Sequence, residues 1–508
     1  MTTEQIVGHE EITLEDVIAV AGAEKDVTLS QEAWQRVKES RKSVERIIAS
    51  GEPVYGVTTG VGKLKDVVLE NDQLEQMQKN LLLSHAAGTG PKLSKEVVRA
   101  AMFLRIVSLS GGYSGIQTST LQLLITMLNE DIVPIVPSQG SVGSSGDLAP
   151  LAYIALAMTG TGSCEVEGRT MPAALALKLK GLEPAVLEAK EGLALINGTQ
   201  IMSAILALCL DRALRLTKLA DIAGAMTLDA VLGFPIAFAD HLHRLRPHNG
   251  QLQSAENIRK LIEGSEMAGT RPHRIQDAYS LRCMPVVHGA SRDAIEYVKD
   301  TLTIEMNAVT DNPSIFPDSD EGISGGNFHG QPIALASDFL GIASSELGNI
   351  SERRINRLVD GTYLHLPAFL VKVPGINSGL MIPQYTAAAL ASENKGLAHP
   401  NSVDSITTSA HQEDHNSMGT IAARTADSIV TNVEAILAIE LMTAAQALEF
   451  SDDLKPGVGV SAARQAIREV IPPWLEDRHM DPDLQKITAF VRTGSLIKHV
   501  EEACGSLK

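Results

Sequence analysis

Apolar residues recur at spacings of three and four over several long stretches of the chain, the period of an α-helix with one buried face. From Gln331 to Asp360, the residues Leu335, Phe339, Ile342, Ala343, Leu347, Ile350 and Leu358 fall on one stripe. From Gly419 to Phe450, Ala422, Ile429, Val433, Ile436 and Leu441 do the same. The segments after Gln200 and after Tyr279 follow suit, with Ala-rich faces that permit close helix contacts. The pattern predicts a mostly α chain, a long-helix bundle with a smaller N-terminal α-rich portion. Strand signals are few, the clearest being a small hairpin around Cys164 to Thr170. The Gly-rich stretch Ser108 to Gly115 is the weakest seam. It divides an N-terminal portion, 1–110, carrying Tyr55 and His85, from a helical body, 111–508, carrying the other candidate residues. Some helix faces hold small apolar residues on more than one side, Ala387 to Ala391 among them, which predicts burial against other subunits.

Composition narrows the classes of partner. Of 508 residues, 44% are hydrophobic and 20% charged, values usual for a globular chain. With 43 Lys and Arg against 61 Asp and Glu, the net charge of −18 argues against nucleic acid and anionic membrane as partners. The first residues show no basic segment followed by an apolar one, and no uninterrupted apolar run reaches the ~20 residues of a spanning helix. The four cysteines form no C-x-x-C pair, as expected of reduced thiols in a cytoplasmic protein.

The most unusual local sequence is Gly140 to Pro150, GSVGSSGDLAP. Its Ser, Gly and Asp are turn formers and suit a loop that caps a helix. The same residues permit a second chemistry. Gly146 lacks a side chain, so its nitrogen can approach the Ser144 carbonyl and close a five-membered ring, and Ser145 can then lose water to become an alkene. Such a ring is a built-in electrophile.

GSVGSSGDLAPLA resembles the prosthetic-group segment of the aromatic amino acid ammonia-lyases, whose tripeptide cyclises to 4-methylideneimidazole-5-one (MIO). The resemblance runs from Tyr55 to about Phe450 through ordered motifs: YGVTTGVG at Tyr55, NLLLSHAAGTG around Ser84-His85, EGLALINGTQ, QDAYSLRC, TDNP, SGGNFH, SERR and QEDH. It implies a mostly helical homotetramer with sites shared between subunits, and an MIO made from Ser144, Ser145 and Gly146 with no metal or external cofactor. It further implies catalytic roles for Tyr55, Ser144, Ser145, Gly146, Tyr279 and Glu413. Substrate contacts would come from His85, Asn197, Gln276, Arg282, Asn312 and Phe328.

These residue types suit the chemistry. Ammonia is a poor leaving group and the β-proton is weakly acidic, so an electrophile that captures the amine makes departure feasible. A phenolate at Tyr55 or Tyr279, near a cationic amine, can accept a proton. The planar fork of Arg282 matches a carboxylate, and the amides of Asn197, Gln276 and Asn312 complete a polar cradle. A pocket with an imidazole, His85, and a carboxylate, Glu413, satisfies both edges of a substrate imidazole, with Phe328 packed near the ring. Phenylalanine-selective members tend to hold Phe-Leu in place of Ser84-His85 and tyrosine-selective members His-Leu, so this dipeptide resembles the histidine-specific branch. The expected reaction is therefore L-histidine to trans-urocanate and ammonia, the first step of histidine degradation. The alternatives are phenylalanine or tyrosine elimination and an aromatic 2,3-aminomutase. The chain departs from the family pattern at Thr58, Val61, Ser144, Tyr153 and His411, which bears on substrate, rate and pH behaviour. A reading of another class places His411 and His415 four apart on one helix face, sharing a zinc ion.

Overall fold

The computed structural model describes residues 3–270, 275–363, 365–451 and 454–508. Its main elements are long helices, Gln31–Ser50, Gln200–Ala230, Met284–Met306, Gln331–Val359 and Gly419–Ala447. The predicted helices and the mostly α class are therefore present. Gln31–Ser50 shows how local chemistry sets the bounds. The Ser30 hydroxyl accepts from Ala33 N at its start, and Gly51 closes it at a φ of 73°. Val37, Val44 and Ile47 form its buried face. The segment after Tyr279 is interrupted, with a short turn Tyr279–Arg282 ahead of the Met284–Met306 helix. Pro285 stands in that helix's first turn, where its missing N–H costs nothing.

The predicted hairpin pairs Ser163–Val166 with Arg169–Pro172, antiparallel. A parallel pair, Thr3–Val7 with Lys25–Leu29, went unpredicted. The Gly419–Phe450 stretch is long and apolar enough to cross a membrane, and most of it is buried inside the chain. Charges such as Glu434 and Glu440 interrupt its apolar run, which is why a count of uninterrupted residues passed over it. All four cysteines are free, with Cys164 and Cys209 buried.

The chain divides into two units. The first comprises Met1–Leu208, Lys299–Asp338 and Pro400–Arg424; the second comprises Cys209–Val298, Phe339–His399 and Thr425–Lys508. The Ser108–Gly115 stretch lies inside the first unit, running from the last turn of the helix Lys95–Ser110 into the loop before Thr118–Asn129. In the first unit, Val44, Ile47, Val57 and Ile315 form a core cluster that ties the Tyr55 loop to the strand after Asn312. In the second, Ile355, Ala387, Ala391, Ile436 and Ile439 pack together, so the inner alanines of the 387–391 segment are covered by their own chain. The 331–360 stripe is corrected in part. Phe339 and Ile342 are exposed, 41% and 42%, while Ile333 and Leu340 are buried. That helix is apolar on two sides, and the sequence pattern does not say which side the chain covers.

Candidate active site

The GSVGSSGD loop is held by the starts of three helices, all within the first unit. Asp147 Oδ2 accepts from Ile201 N at 2.6 Å and Oδ1 from Met202 N at 3.2 Å, which caps the Gln200–Ala230 helix from a distant stretch of chain. Thr420 Oγ1, in the first turn of the Gly419–Ala447 helix, donates to Asp147 Oδ1 at 3.0 Å. Leu148 leads directly into the Ala149–Met158 helix. Three sets of partial positive charge thus converge beside Ser145. Burial pushes the Asp147 carboxyl up to about 7, against the hydrogen bonds that favour its anion.

Gly146 is required by geometry. Its φ is +72°, and a Cβ there would lie 2.1 Å from the Gly198 carbonyl oxygen. Gly198 is fixed in turn by the fully buried Arg105, whose guanidinium donates to the carbonyls of Ala194, Asn197 and Thr310. Beyond Thr310, the buried ion pair Lys190 to Asp311, 2.8 Å, sets the position of Asn312. Asn312 Oδ1 accepts from Ser324 Oγ and Gly325 N, which leaves its NH2 for a ligand.

Two cavities meet at Ser145. One, about 770 Å³, is lined by Tyr55, Ser144, Ser145, Asn312, Phe328 and Glu413 among others. The second, about 580 Å³, shares Tyr55, Ser145 and Glu413 and adds His85 and Asn197. Ser145 Oγ donates to Glu413 Oε1 at 3.3 Å, and Thr408 Oγ1 donates to Glu413 Oε2 at 3.0 Å. The Tyr55 hydroxyl accepts from Gly62 N at 3.0 Å. Burial raises the Tyr55 pKa and the Glu413 charge adds to this, so the phenol is favoured over the phenolate. Burial likewise lowers the His85 pKa, keeping the imidazole neutral. Asn197 Oδ1 is buried with no partner among the described residues.

Nine of the predicted residues therefore gather around Ser145: Tyr55, His85, Ser144, Ser145, Gly146, Asn197, Asn312, Phe328 and Glu413. Gln276, Tyr279 and Arg282 belong to the second unit and line neither cavity. Tyr279 is 71% exposed, with the Arg282 guanidinium 4.6 Å from its ring centroid. The zinc reading needed a helix that does not form. His411 ends a short 3-10 turn at a φ of 70°, the following residues are irregular, and His415 faces His329 instead. Among the described residues, no group of three or more His, Cys, Asp or Glu is arranged to hold a metal ion.

A profile of the aromatic amino acid lyase family matches residues 12–469. The chain belongs to that family. It is 52% identical over 498 residues to the histidine ammonia-lyase of Alkaliphilus metalliredigens, covering 98% of each chain. The crystal structure of histidine ammonia-lyase from Trypanosoma cruzi superposes with a TM-score of 0.92 at 42% identity, over 98% of this chain and 95% of that one. The tyrosine aminomutase of Streptomyces globisporus superposes with a TM-score of 0.94 at 35% identity, over the whole of both chains.

Within this aromatic amino acid lyase, the departures from the family pattern differ in consequence. Thr58 is buried and turns its hydroxyl to the backbone, accepting from Val54 N and donating to Glu52 O, so it shapes the Tyr55 turn without reaching a cavity. Val61 lines the cavity beside His85, whereas His411 lines neither. The Tyr153 hydroxyl accepts from Gly88 N and donates to Gly88 O, pinning the chain just after His85. Sequence reasoning missed Thr408, which orients Glu413, and missed that the helix Asp147 caps is the distant Gln200–Ala230. No local signal marks either, because each acts on a partner that only folding brings near.

Proposed function

We propose that this chain is a histidine ammonia-lyase, converting L-histidine to trans-urocanate and ammonia with an MIO formed from Ser144, Ser145 and Gly146. The observation that carries this reading is the meeting of Ser145, His85 and Glu413 at one cavity. Polar groups on both edges of a ring suit an imidazole and would be left unpaired by a phenyl group. Relatives that bear this name match nearly the whole chain at about half identity.

The residues fit the group. Gly146 sits where no Cβ can, Ser145 is half-buried on the cavity wall, and Asn197 offers a buried oxygen without a partner among the described residues. Once formed, the MIO supplies an electrophile that makes the amine a feasible leaving group. The chain does the rest. His85 and Glu413 hold the ring, and the Asn312 NH2 is offered to the carboxylate. The Tyr55 oxygen is the group placed to handle the β-proton, its phenol becoming more acidic when a cationic amine enters.

The working form we propose is a cytoplasmic homotetramer with shared sites. Support comes from the second unit, where Phe339, Ile342, Ile382 and Tyr385 are exposed on helices, and where Gln276, Tyr279 and Arg282 line neither of the two cavities at Ser145. Mixed tetramers of Tyr279→Phe and Ser145→Ala chains recover activity on this reading, whereas Tyr55 and Ser145 already share the cavities of one chain; no recovery in verified mixed tetramers would confine each site to one chain.

The test is absorbance at the urocanate, cinnamate and coumarate bands after incubation with histidine, phenylalanine and tyrosine separately. Urocanate alone is expected; a comparable kcat/KM on phenylalanine refutes the assignment. The intact mass is expected about 36 Da below the translated sequence, two waters lost, and an unmodified mass in active enzyme refutes the MIO.

A further inference from the structure

Resting on the histidine reading, the hydrogen-bond inventory of the second cavity determines more than which ring is bound. His85 is the last residue of the Leu74–His85 helix, and its Nδ1 lies 2.8 Å from the Leu81 carbonyl oxygen, one turn back. A carbonyl oxygen only accepts, so Nδ1 carries the hydrogen and the neutral ring presents a bare lone pair at Nε2. Ser84 Oγ, 3.1 Å from Nδ1 and donating to the same carbonyl, fills the rest of that edge. Glu413 is also an acceptor. Among the described residues the one donor on its Oε1 is the Ser145 hydroxyl, which dehydration of Ser145 removes. The titratable groups lining this cavity are Tyr55, Lys63, His85 and Glu413.

A neutral imidazole has one N–H and one lone pair, so between two acceptors it leaves one edge facing a lone pair. We infer that the site binds histidine as the imidazolium, its two N–H groups donating to His85 Nε2 and to the Glu413 carboxylate, with the Leu81 carbonyl and Ser84 as the positioning groups that fix the His85 tautomer. The extra proton enters from solvent with the substrate and returns to solvent on product release. Burial disfavours placing it on His85, and the carboxylate favours it on the ring beside Glu413. A cationic ring also withdraws electrons from the β-carbon it carries, making its C–H easier to deprotonate. Recognition and activation are then one act.

The test uses L-histidine labelled with ¹⁵N in the ring, bound to full-length Ser145→Ala protein, which holds substrate without turning it over. Two N–H-type nitrogen resonances are expected, and Glu413→Gln in the same background, whose amide can donate, is expected to restore one pyridine-type resonance. A pyridine-type nitrogen with Glu413 intact overturns the imidazolium and leaves the histidine reading standing. Absence of histidine binding together with absence of urocanate from wild type overturns both. As an independent measure, the alanine derivative of 1,2,4-triazole has a ring N–H but is too weak a base to be protonated near neutrality, and it is expected to bind about tenfold or more weaker than histidine. Equal affinity overturns the proposal.

Discussion

Two aspartates with no exposed surface sit in very different chemical company. Asp221, in the second unit, accepts from Ser254 Oγ, Asn257 Nδ2, His288 Nδ1 and Arg292 Nη2, all within 2.9 Å. Burial alone would raise its pKa, but Arg292 and His288 outweigh it and hold the carboxyl down at about 2. Asp147, in the first unit, accepts from two backbone amides and a threonine hydroxyl, with no cation bonded to it among the described residues, and burial holds it at about 7. Equal burial thus gives opposite outcomes according to whether a counter-charge is present. The second-unit network, which continues through His288 to Arg354 and on to Glu440, sets cations against its anions and serves the fold. At the Ser145 cavities it is Asn197 Oδ1 that is buried without a partner among the described residues, and that is where a ligand has something to gain.

The comparison can be broken most directly by truncation. Asp221→Ala leaves Arg292 and its neighbours buried without their anion, an expected loss of about 3–5 kcal/mol, read from the urea unfolding midpoint and slope. Asp147→Ala strips three neutral donors of an acceptor and is expected to cost less, about 1–3 kcal/mol; a loss equal to that of Asp221→Ala would show that counter-charge is not what separates the two sites. Acidity sharpens the contrast because the signs are opposite. The Asp221 contribution is full above about pH 4 and is lost as pH falls toward 2, so Asp221→Asn is expected to flatten that acid limb. The Asp147 carboxyl is instead raised, so its contribution is full below about pH 4 and is lost as pH climbs to about 7. Asp147→Asn keeps the shape without the charge, and its expected effect at pH 5 is the smallest, under about 1 kcal/mol, with the decline toward pH 7 removed. An unchanged decline in that variant would assign the slope to other groups.

What the sequence revealed follows the range of the interactions involved. The Gly419–Phe450 stripe was legible because Ala422, Ile429, Val433 and Ile436 are all buried, as the period requires, although from Ile436 to Leu448 the chain is buried on every side. The 331–360 stripe misled at Phe339 and Ile342, since a helix apolar on two sides gives periodicity no means of choosing. The tripeptide and its surrounding motifs were legible by resemblance, and the structure gathers nine of the named residues at Ser145. The grip of Asp147 on the Gln200–Ala230 helix was not legible, because a cap supplied from another stretch of chain leaves no local signature. Nor was the His85 tautomer, which depends on one turn of backbone geometry. The His411 and His415 spacing suggested a helix that the positive φ angles at Ser409, Ala410 and His411 exclude.

The reach of the Asp147 contacts has a temporal consequence. Its partners lie 54 and 273 positions along the chain, at Ile201 and Thr420, so the loop cannot take its final shape while synthesis is still in the first half of the protein. A nascent chain can make the Ile201 and Met202 contacts once those residues have emerged, but the full set of contacts on Asp147 is complete only when Thr420 has left the ribosome. The finished shape of this loop is therefore born late, in a molecule most of whose chain has already been made.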